Sequence, residues 1–132
     1  MNYLIDTDIV IYSLKGDERV KQNFHEYRNS PKSLSVITYG ELVYGAKKSK
    51  AVEKNLARAY RIAELFPIID ITPAVVETFG EIKTSLEKQG NIVADMDLLI
   101  AATALTHNLI LVTNNQKHFE RINGLDIENW AK

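Results

Sequence analysis

The most constraining feature of this 132-residue chain is a repeated unit: a short apolar run that ends in polar or acidic residues before a helical stretch. Residues 3–5, 34–37 and 109–112 are such runs. Helices alternating with β-branched runs are typical of a mostly parallel sheet covered on both faces. The carboxyl ends of parallel strands share one edge of a sheet, so the polar residues after these runs are expected to meet there.

We expect one α/β domain, residues 1–132, with three layers (α/β/α) around a mostly parallel sheet of four to five strands. The predicted strands are 2–6, 33–37, 67–71, 109–113 and an edge strand at 126–129. The predicted helices are 8–14, 18–28, 39–48, 51–65, 73–89, 96–107 and 116–122. Asp17 before the second helix and Thr72-Pro73 before the fifth are helix-start signals.

The composition excludes several kinds of site. The chain has no cysteine, which excludes a disulfide scaffold, a zinc–thiolate site and a cysteine nucleophile. No apolar stretch approaches the ~20 residues that span a membrane, and the N-terminus lacks the basic segment of a signal peptide. We therefore expect a cytoplasmic protein without a membrane-spanning helix.

Carboxylates follow the predicted strands or begin the predicted helices. Asp6 and Asp8 follow the first strand, Glu41 lies in the first turn of the helix after the second strand, and Asp97 precedes the apolar stretch 98–105. Each one alone is more simply explained as a helix cap or a first-turn acid. Together at one sheet edge they would repel one another, and a divalent cation relieves that repulsion. Oxygen ligands without Cys or His favour Mg²⁺ or Mn²⁺.

Basic residues are segregated although the net charge is only −1. Five of them recur at steps of three or four residues: Lys47, Lys50, Lys54, Arg58 and Arg61. On one helix they would form a single basic stripe, which is either a solvated face or a surface that follows the phosphates of a bound molecule. The neighbouring Tyr39, Tyr44 and Tyr60 are expected to pack in the protein rather than stack on bases.

The chain resembles a known family in four segments that occur in order and at normal spacing. These are Leu4-Ile5-Asp6-Thr7-Asp8, residues 36–45 around Glu41, residues 97–102 and Leu111-Val112-Thr113-Asn114-Asn115. They resemble the PIN-domain ribonucleases and, within them, the VapC toxins of type II toxin–antitoxin modules. The closing segments resemble the VapC subgroup assigned to initiator-tRNA cleavage: Phe119-Glu120-Arg121, Gly124-Leu125 and Glu128-Asn129-Trp130.

The resemblance implies a PIN-like fold and a Mg²⁺- or Mn²⁺-dependent endoribonuclease that cleaves RNA, with tRNA as the expected substrate, and leaves 3′-hydroxyl and 5′-phosphate ends. The acids expected to bind the metal and catalyse are Asp6, Glu41 and Asp97. The side chains expected to support them are Thr7, Asp8 and Thr113. Asn115 stands where the family often has an aspartate, and Asp95 is a candidate to supply part of the missing charge.

The resemblance also implies a homodimer inhibited by a small cognate antitoxin of the VapB kind. The residues themselves suggest where a partner docks. Ile9, Ile11, Tyr12 and Leu14 exceed what one short helix can bury on a single face. We therefore expect the antitoxin in a groove between the 8–28 and 39–65 helices.

Two other functions stay open from the sequence. The segment Asp6-Thr7-Asp8 after a strand also fits a phosphatase of the haloacid dehalogenase type, with Asp6 as nucleophile and Asp8 as acid–base. That function leaves Glu41 without a role and identifies no clear catalytic lysine. The other is a non-catalytic binding domain whose acids only cap helices, and metal titration separates it from both enzymes.

Overall fold

The computed structural model describes residues 2–132, which form a five-stranded sheet with seven helices around it. The elements, in chain order, are β1 (Tyr3–Ile5), α1 (Thr7–Leu14), α2 (Glu18–Glu26), β2 (Lys32–Ser35), α3 (Val36–Lys47), α4 (Val52–Leu65), β3 (Ile68–Ile69), α5 (Pro73–Lys88), α6 (Asp95–Thr106), β4 (Ile110–Val112), α7 (Gln116–Phe119) and β5 (Ile127–Glu128). Within this described part of the chain, no helix is long and apolar enough to cross a membrane. The predicted α/β fold is confirmed.

The sheet has the strand order β3-β2-β1-β4-β5, and all four strand pairs are parallel. β1 is therefore the central strand, and Ile5 at its end pairs with Val112 at the end of β4. This register places the next residues, Asp6 and Thr113, side by side at the carboxyl edge of the sheet. The topology thus assembles residues that are 107 positions apart in the chain.

The core lies on both faces of the sheet, because strand side chains alternate between faces. On one face Leu4 and Leu111 pack against α5 and α6. On the other face Tyr3 and Ile5 pack against α1, α2 and the C-terminal Trp130. Helix α6 has six buried residues, which explains why residues 98–105 are nearly all apolar. Both helical layers are needed to cover a sheet whose β1 and β4 strands are wholly buried.

The boundary between β2 and α3 differs from the sequence prediction. Val36 and Ile37 were expected in the strand, but they begin α3. The reason is a local cap: the Ser35 side chain accepts a hydrogen bond from the Ile37 N–H at 3.0 Å. Helix capping outweighs the strand preference of two β-branched residues here. As a result, Glu41 lies in the second turn of α3 and not in its first.

The basic residues from 47 to 61 do not form one helical stripe, so that prediction is wrong. Helix α3 ends at Lys47, and α4 begins only at Val52. Lys50 therefore lies in the connection between the helices, and only Lys54, Arg58 and Arg61 share a helix. The break agrees with the predicted helices 39–48 and 51–65, so the regular spacing of the charges continues across a turn and does not place them on one helix.

Candidate active site

Asp6 lies at the junction between β1 and α1, where it caps the helix. Its Oδ1 accepts a hydrogen bond from the Thr7 N–H at 2.8 Å. Its Oδ2 accepts a hydrogen bond from the Thr113 hydroxyl, also at 2.8 Å. The residue is 3% exposed. The neighbouring strand end therefore holds Asp6 in one orientation at the carboxyl edge of the sheet.

Thr7 links this junction to α3. Its hydroxyl donates to Glu41 Oε1 at 2.7 Å and lies 3.1 Å from the hydroxyl oxygen of Thr38. Glu41 thus joins the site through Thr7 and not through a direct contact with Asp6. The early start of α3, capped by Ser35, is what brings Thr38 and Glu41 to this place.

Asp8 lies in the first turn of α1, close to the end of β4. Its Oδ2 accepts a hydrogen bond from the Asn114 N–H at 3.0 Å. Two hydrogen bonds hold the Asn114 side chain. Its Nδ2–H donates to the Tyr12 hydroxyl oxygen at 3.2 Å, and its Oδ1 accepts from the Asn129 Nδ2–H at 3.0 Å. The other carboxylate oxygen, Oδ1, is buried, and nothing in residues 2–132 donates a hydrogen bond to it.

Asp97 lies in the first turn of α6, next to a histidine to which the sequence assigns no role. His118 Nδ1 is 3.1 Å from Asp97 Oδ2. His118 belongs to α7, 21 residues further along the chain, and no local motif connects the two positions. Only the packing of the segment after β4 against the start of α6 brings the imidazole to this carboxylate.

The carboxylates act on one another electrostatically. Burial, together with the negative charges of Asp8 and Asp97, raises the pKa of Asp6 to about 7, although hydrogen bonds from Thr113 and Thr7 oppose the shift. Burial also raises the pKa of Asp8, and the Asp97 charge contributes. Asp6, Asp8 and Asp97 therefore share one electrostatic environment, while Glu41 is connected to it through Thr7.

A hard divalent cation fits the chemistry of this site. The donors are carboxylate oxygens, Asp8 Oδ1 lacks a partner, and the acids repel one another, which a cation would relieve. Within residues 2–132, however, no three acidic or histidine side chains already form a coordination shell. Binding of an ion would therefore require the carboxylates to move closer together.

The two candidates for a fourth acidic group lie in different surroundings. Asp95 is exposed and forms an ion pair with Lys83, whose Nζ is 2.9 Å from Asp95 Oδ1. Asn115 is also exposed, and its N–H donates to the Thr113 hydroxyl oxygen at 3.0 Å. Asn115 thus adjoins the site through Thr113, whereas the charge of Asp95 is already paired.

A groove adjoins the site between α1, α3 and α4, with a cavity of about 440 Å³. Ile11 and Leu14 of α1 line it and are partly exposed, whereas Ile9 is buried in the core. Glu41 and Arg58 line the same cavity from α3 and α4. The groove therefore joins an apolar region to Glu41, an acid of the site, and to the cation Arg58.

The basic surface is defined here as Lys47, Lys50, Lys54, Arg58 and Arg61. All five side chains are exposed. Tyr44 and Tyr60 beside them are 65% and 49% exposed, so the expectation that they pack in the protein is wrong for both. The Lys48 ammonium lies 4.7 Å from the centre of the Tyr44 ring. Exposed aromatic rings among cations are a combination that binds single-stranded nucleic acid.

The raised pKa of Asp6 predicts that the metal-free protein loses stability as pH rises. Below about pH 4 the carboxyl is protonated in both the folded and unfolded states. Between that pH and about 7 the folded state holds a proton that the unfolded state has released, so the free energy of unfolding falls. Above pH 7 the full cost applies, on the order of 4 kcal/mol for three pKa units.

The measurement is urea unfolding in EDTA at pH 5 and pH 8 for three proteins: wild type, Asp6→Asn and the exposed-site control Asp126→Asn. The wild type and the control should lose stability between the two pH values by clearly more than Asp6→Asn. Equal losses in all three proteins would show that Asp6 does not titrate abnormally.

Comparison with known proteins shows a likeness over nearly the whole chain. The family profile of the PIN domain matches residues 3–125. Ribonuclease VapC2 of Haemophilus influenzae is 40% identical, with 99% of each chain covered. A tRNA(fMet)-specific endonuclease VapC of Salmonella typhimurium is 36% identical, again with 99% of each covered. A chain of one solved structure also matches: the crystal structure of VapBC2 from Rickettsia felis bound to a DNA fragment from its promoter. The TM-score is 0.92 and the identity 37%, and the match covers 98% of this chain and 99% of that one.

Proposed function

This chain belongs to the PIN-domain family and, within it, to the VapC ribonucleases, and from this premise we propose that it is the toxin of a type II toxin–antitoxin pair, an endoribonuclease that cleaves tRNA with Mg²⁺ or Mn²⁺. The observation that carries the proposal is the set of carboxylates gathered at the carboxyl edge of the sheet, where burial and, to a smaller extent, the neighbouring acids raise the pKa values of Asp6 and Asp8. The relative that cleaves tRNA(fMet) supports initiator tRNA as the first substrate to test. Since its proposed substrate is cytoplasmic, the chain would act there.

The residues of the site have separate tasks in this function. Asp6, Glu41 and Asp97 would hold the cation, with Thr7 and Thr113 fixing the first two carboxylates. When bound, the cation supplies charge neutralisation at the phosphate and activation of the attacking water. The chain supplies orientation, because every hydroxyl that contacts an acid is itself anchored at a strand end or helix start. Hydrolysis of this kind needs no pair of histidines for acid–base catalysis.

The RNA path is proposed to follow the basic surface into the site. Arg58 lines the same cavity as Glu41, so one end of the basic surface reaches the acids. The exposed Tyr44 and Tyr60 lie beside it and offer faces on which bases can stack. Cations that bind phosphates next to acids that bind a metal are what a phosphodiester substrate requires.

Neutralising Lys50, Lys54 and Arg58 together with glutamine is expected to weaken RNA binding and flatten its salt dependence. Each lost phosphate contact lowers the slope of log affinity against log salt by about one unit. The measurement is fluorescence anisotropy with labelled tRNA at several salt concentrations and without divalent metal. A matched triple variant of exposed cations elsewhere, Arg19, Lys21 and Lys88, should keep the wild-type slope. The same slope in both triple variants would show that 47–61 is an ordinary solvated surface.

The antitoxin is proposed to dock in the groove between α1, α3 and α4. The partly exposed Ile11 and Leu14 offer an apolar surface for an amphipathic helix or an extended segment. The same occupant would cover Glu41 and Arg58, and a basic side chain from it could reach the acids. Inhibition would then combine occupation of the metal site with exclusion of RNA. The toxin is also proposed to be a homodimer within this complex, as the family resemblance implies.

The direct test of activity is incubation of the purified chain with labelled tRNA in Mg²⁺, in Mn²⁺ and in excess EDTA. Cleavage in either metal and none in EDTA is the expected result. The same preparations are assayed with p-nitrophenyl phosphate, which a haloacid dehalogenase-type phosphatase would hydrolyse. Phosphatase activity without RNA cleavage, or no metal-dependent activity on either substrate, would contradict the proposal.

A further inference from the structure

Hydrogen bonds fix one oxygen of the Asp8 carboxylate in place. Its Oδ2 accepts from the Asn114 N–H, and the Asn114 side chain is braced by Tyr12 and Asn129. Carboxylates that bind metals are commonly oriented in this way by a second layer of hydrogen bonds. Three segments of the chain, α1 and the residues after β4 and β5, therefore converge to fix one carboxylate.

The other carboxylate oxygen of Asp8 has no hydrogen-bond partner among the described residues. Oδ1 is buried, and no donor in the described residues reaches it. Leaving a buried acceptor without a hydrogen bond is unfavourable, and more so for a charged group. A helix-capping or purely structural role would be served by Oδ2 alone. An unpaired buried oxygen beside other carboxylates is instead the arrangement expected of a group that binds a cation.

We propose that Asp8 is the fourth carboxylate of the cation site and binds the ion through Oδ1. This inference rests on the proposed metal-dependent function and replaces a merely supporting role for Asp8. It also explains where the fourth negative charge of the site comes from, because Asn115 is neutral and the charge of Asp95 is paired with Lys83. Asp8 would restore the fourth negative charge from α1, on the same strand-to-helix junction as Asp6.

The alternative occupant of Asp8 Oδ1 is a proton. If Oδ1 binds the metal ion, removing the Asp8 charge lowers the affinity for that ion. If Oδ1 only carries a proton, removing the charge leaves the metal affinity unchanged. Asp8→Asn keeps the shape of the side chain and an oxygen that can accept from the Asn114 N–H. Asp95→Asn is the matched control, since it removes an equal charge close to Asp97 from a carboxylate that is held by Lys83.

The experiment is calorimetric titration of Mn²⁺ into the purified metal-free wild type, Asp8→Asn and Asp95→Asn, with circular dichroism to confirm folding. Asp8→Asn is expected to bind Mn²⁺ at least about tenfold more weakly, while Asp95→Asn stays close to wild type. If Asp8→Asn does not fold, Asp8→Ser, which keeps a hydroxyl acceptor in the first turn, takes its place.

The outcomes separate the two proposals. Wild-type Mn²⁺ affinity in Asp8→Asn would overturn the role of Asp8 and leave the metal-dependent function standing. An equal loss in Asp95→Asn would also overturn it, because the effect would then be one of overall charge. If the wild type itself binds no Mn²⁺, the metal site fails and the role of Asp8 fails with it.

Discussion

Replacing Asp6 by asparagine should lower the rate of RNA cleavage by roughly a thousandfold, as expected when several kcal/mol of transition-state stabilisation are lost. The protein should stay folded, because the asparagine oxygen can accept from the Thr7 N–H, while its amide N–H can donate to the Thr113 hydroxyl oxygen in place of the bond that Thr113 donates to Asp6. Asp97→Asn should have a loss of similar size through the same ion. Single-turnover cleavage of labelled tRNA in Mg²⁺ measures both effects.

The double variant Asp6→Asn/Asp97→Asn separates a shared role from independent ones. Residues that act on one ion are strongly non-additive, so the double variant should be little slower than either single variant. Asp126→Asn, an exposed acid outside the site, is the control for charge and should cleave at the wild-type rate. Wild-type cleavage in Asp6→Asn or Asp97→Asn would remove that residue from the catalytic set.

Introducing glutamate at both Ile11 and Leu14 should release the toxin from inhibition. The two side chains line the groove and are 36% and 40% exposed, so the substitutions place charge where an apolar partner surface is expected without opening the core. Burying unpaired charges costs several kcal/mol, and a loss of at least a hundredfold in affinity for the antitoxin follows. The isolated variant should still cleave RNA, although more slowly than wild type, because Ile11 and Leu14 share a cavity with Glu41 and Arg58 and the added charges repel the RNA backbone there.

The measurement is calorimetric binding of the small protein encoded by the adjacent reading frame, paired with growth during co-expression. Val76→Glu is the matched control: Val76 is similarly exposed but lies on α5, against the opposite face of the sheet. Co-expression should restore growth for wild type and Val76→Glu, but not for the groove variant. Undiminished binding to the groove variant would place the antitoxin elsewhere.

Most of the fold followed from local patterns in the sequence. Every predicted strand and helix is present, because capping residues such as Asp17 and Thr72 mark helix starts without help from distant residues. The parallel sheet followed from helices placed between apolar runs. From that topology alone, Asp6 and Thr113 could be expected at one edge, and the structure places them 2.8 Å apart, Thr113 Oγ1 to Asp6 Oδ2.

The features of the site that the sequence did not predict depend on contacts between distant segments, which local patterns do not encode. The pair His118–Asp97 results from the packing of α7 against α6. The unpaired oxygen of Asp8 becomes visible only when every donor around it is known. Metal binding by Asp6, Glu41 and Asp97 stays a prediction.

The most direct test of the central claim is sequencing of RNA ends after brief expression of the wild type and of Asp6→Asn. The account predicts new 5′-phosphate and 3′-hydroxyl ends at a discrete position in tRNA, present with the wild type and absent with Asp6→Asn. Ends that carry a 2′,3′-cyclic phosphate, or identical ends with both proteins, would contradict a nuclease that works through these carboxylates.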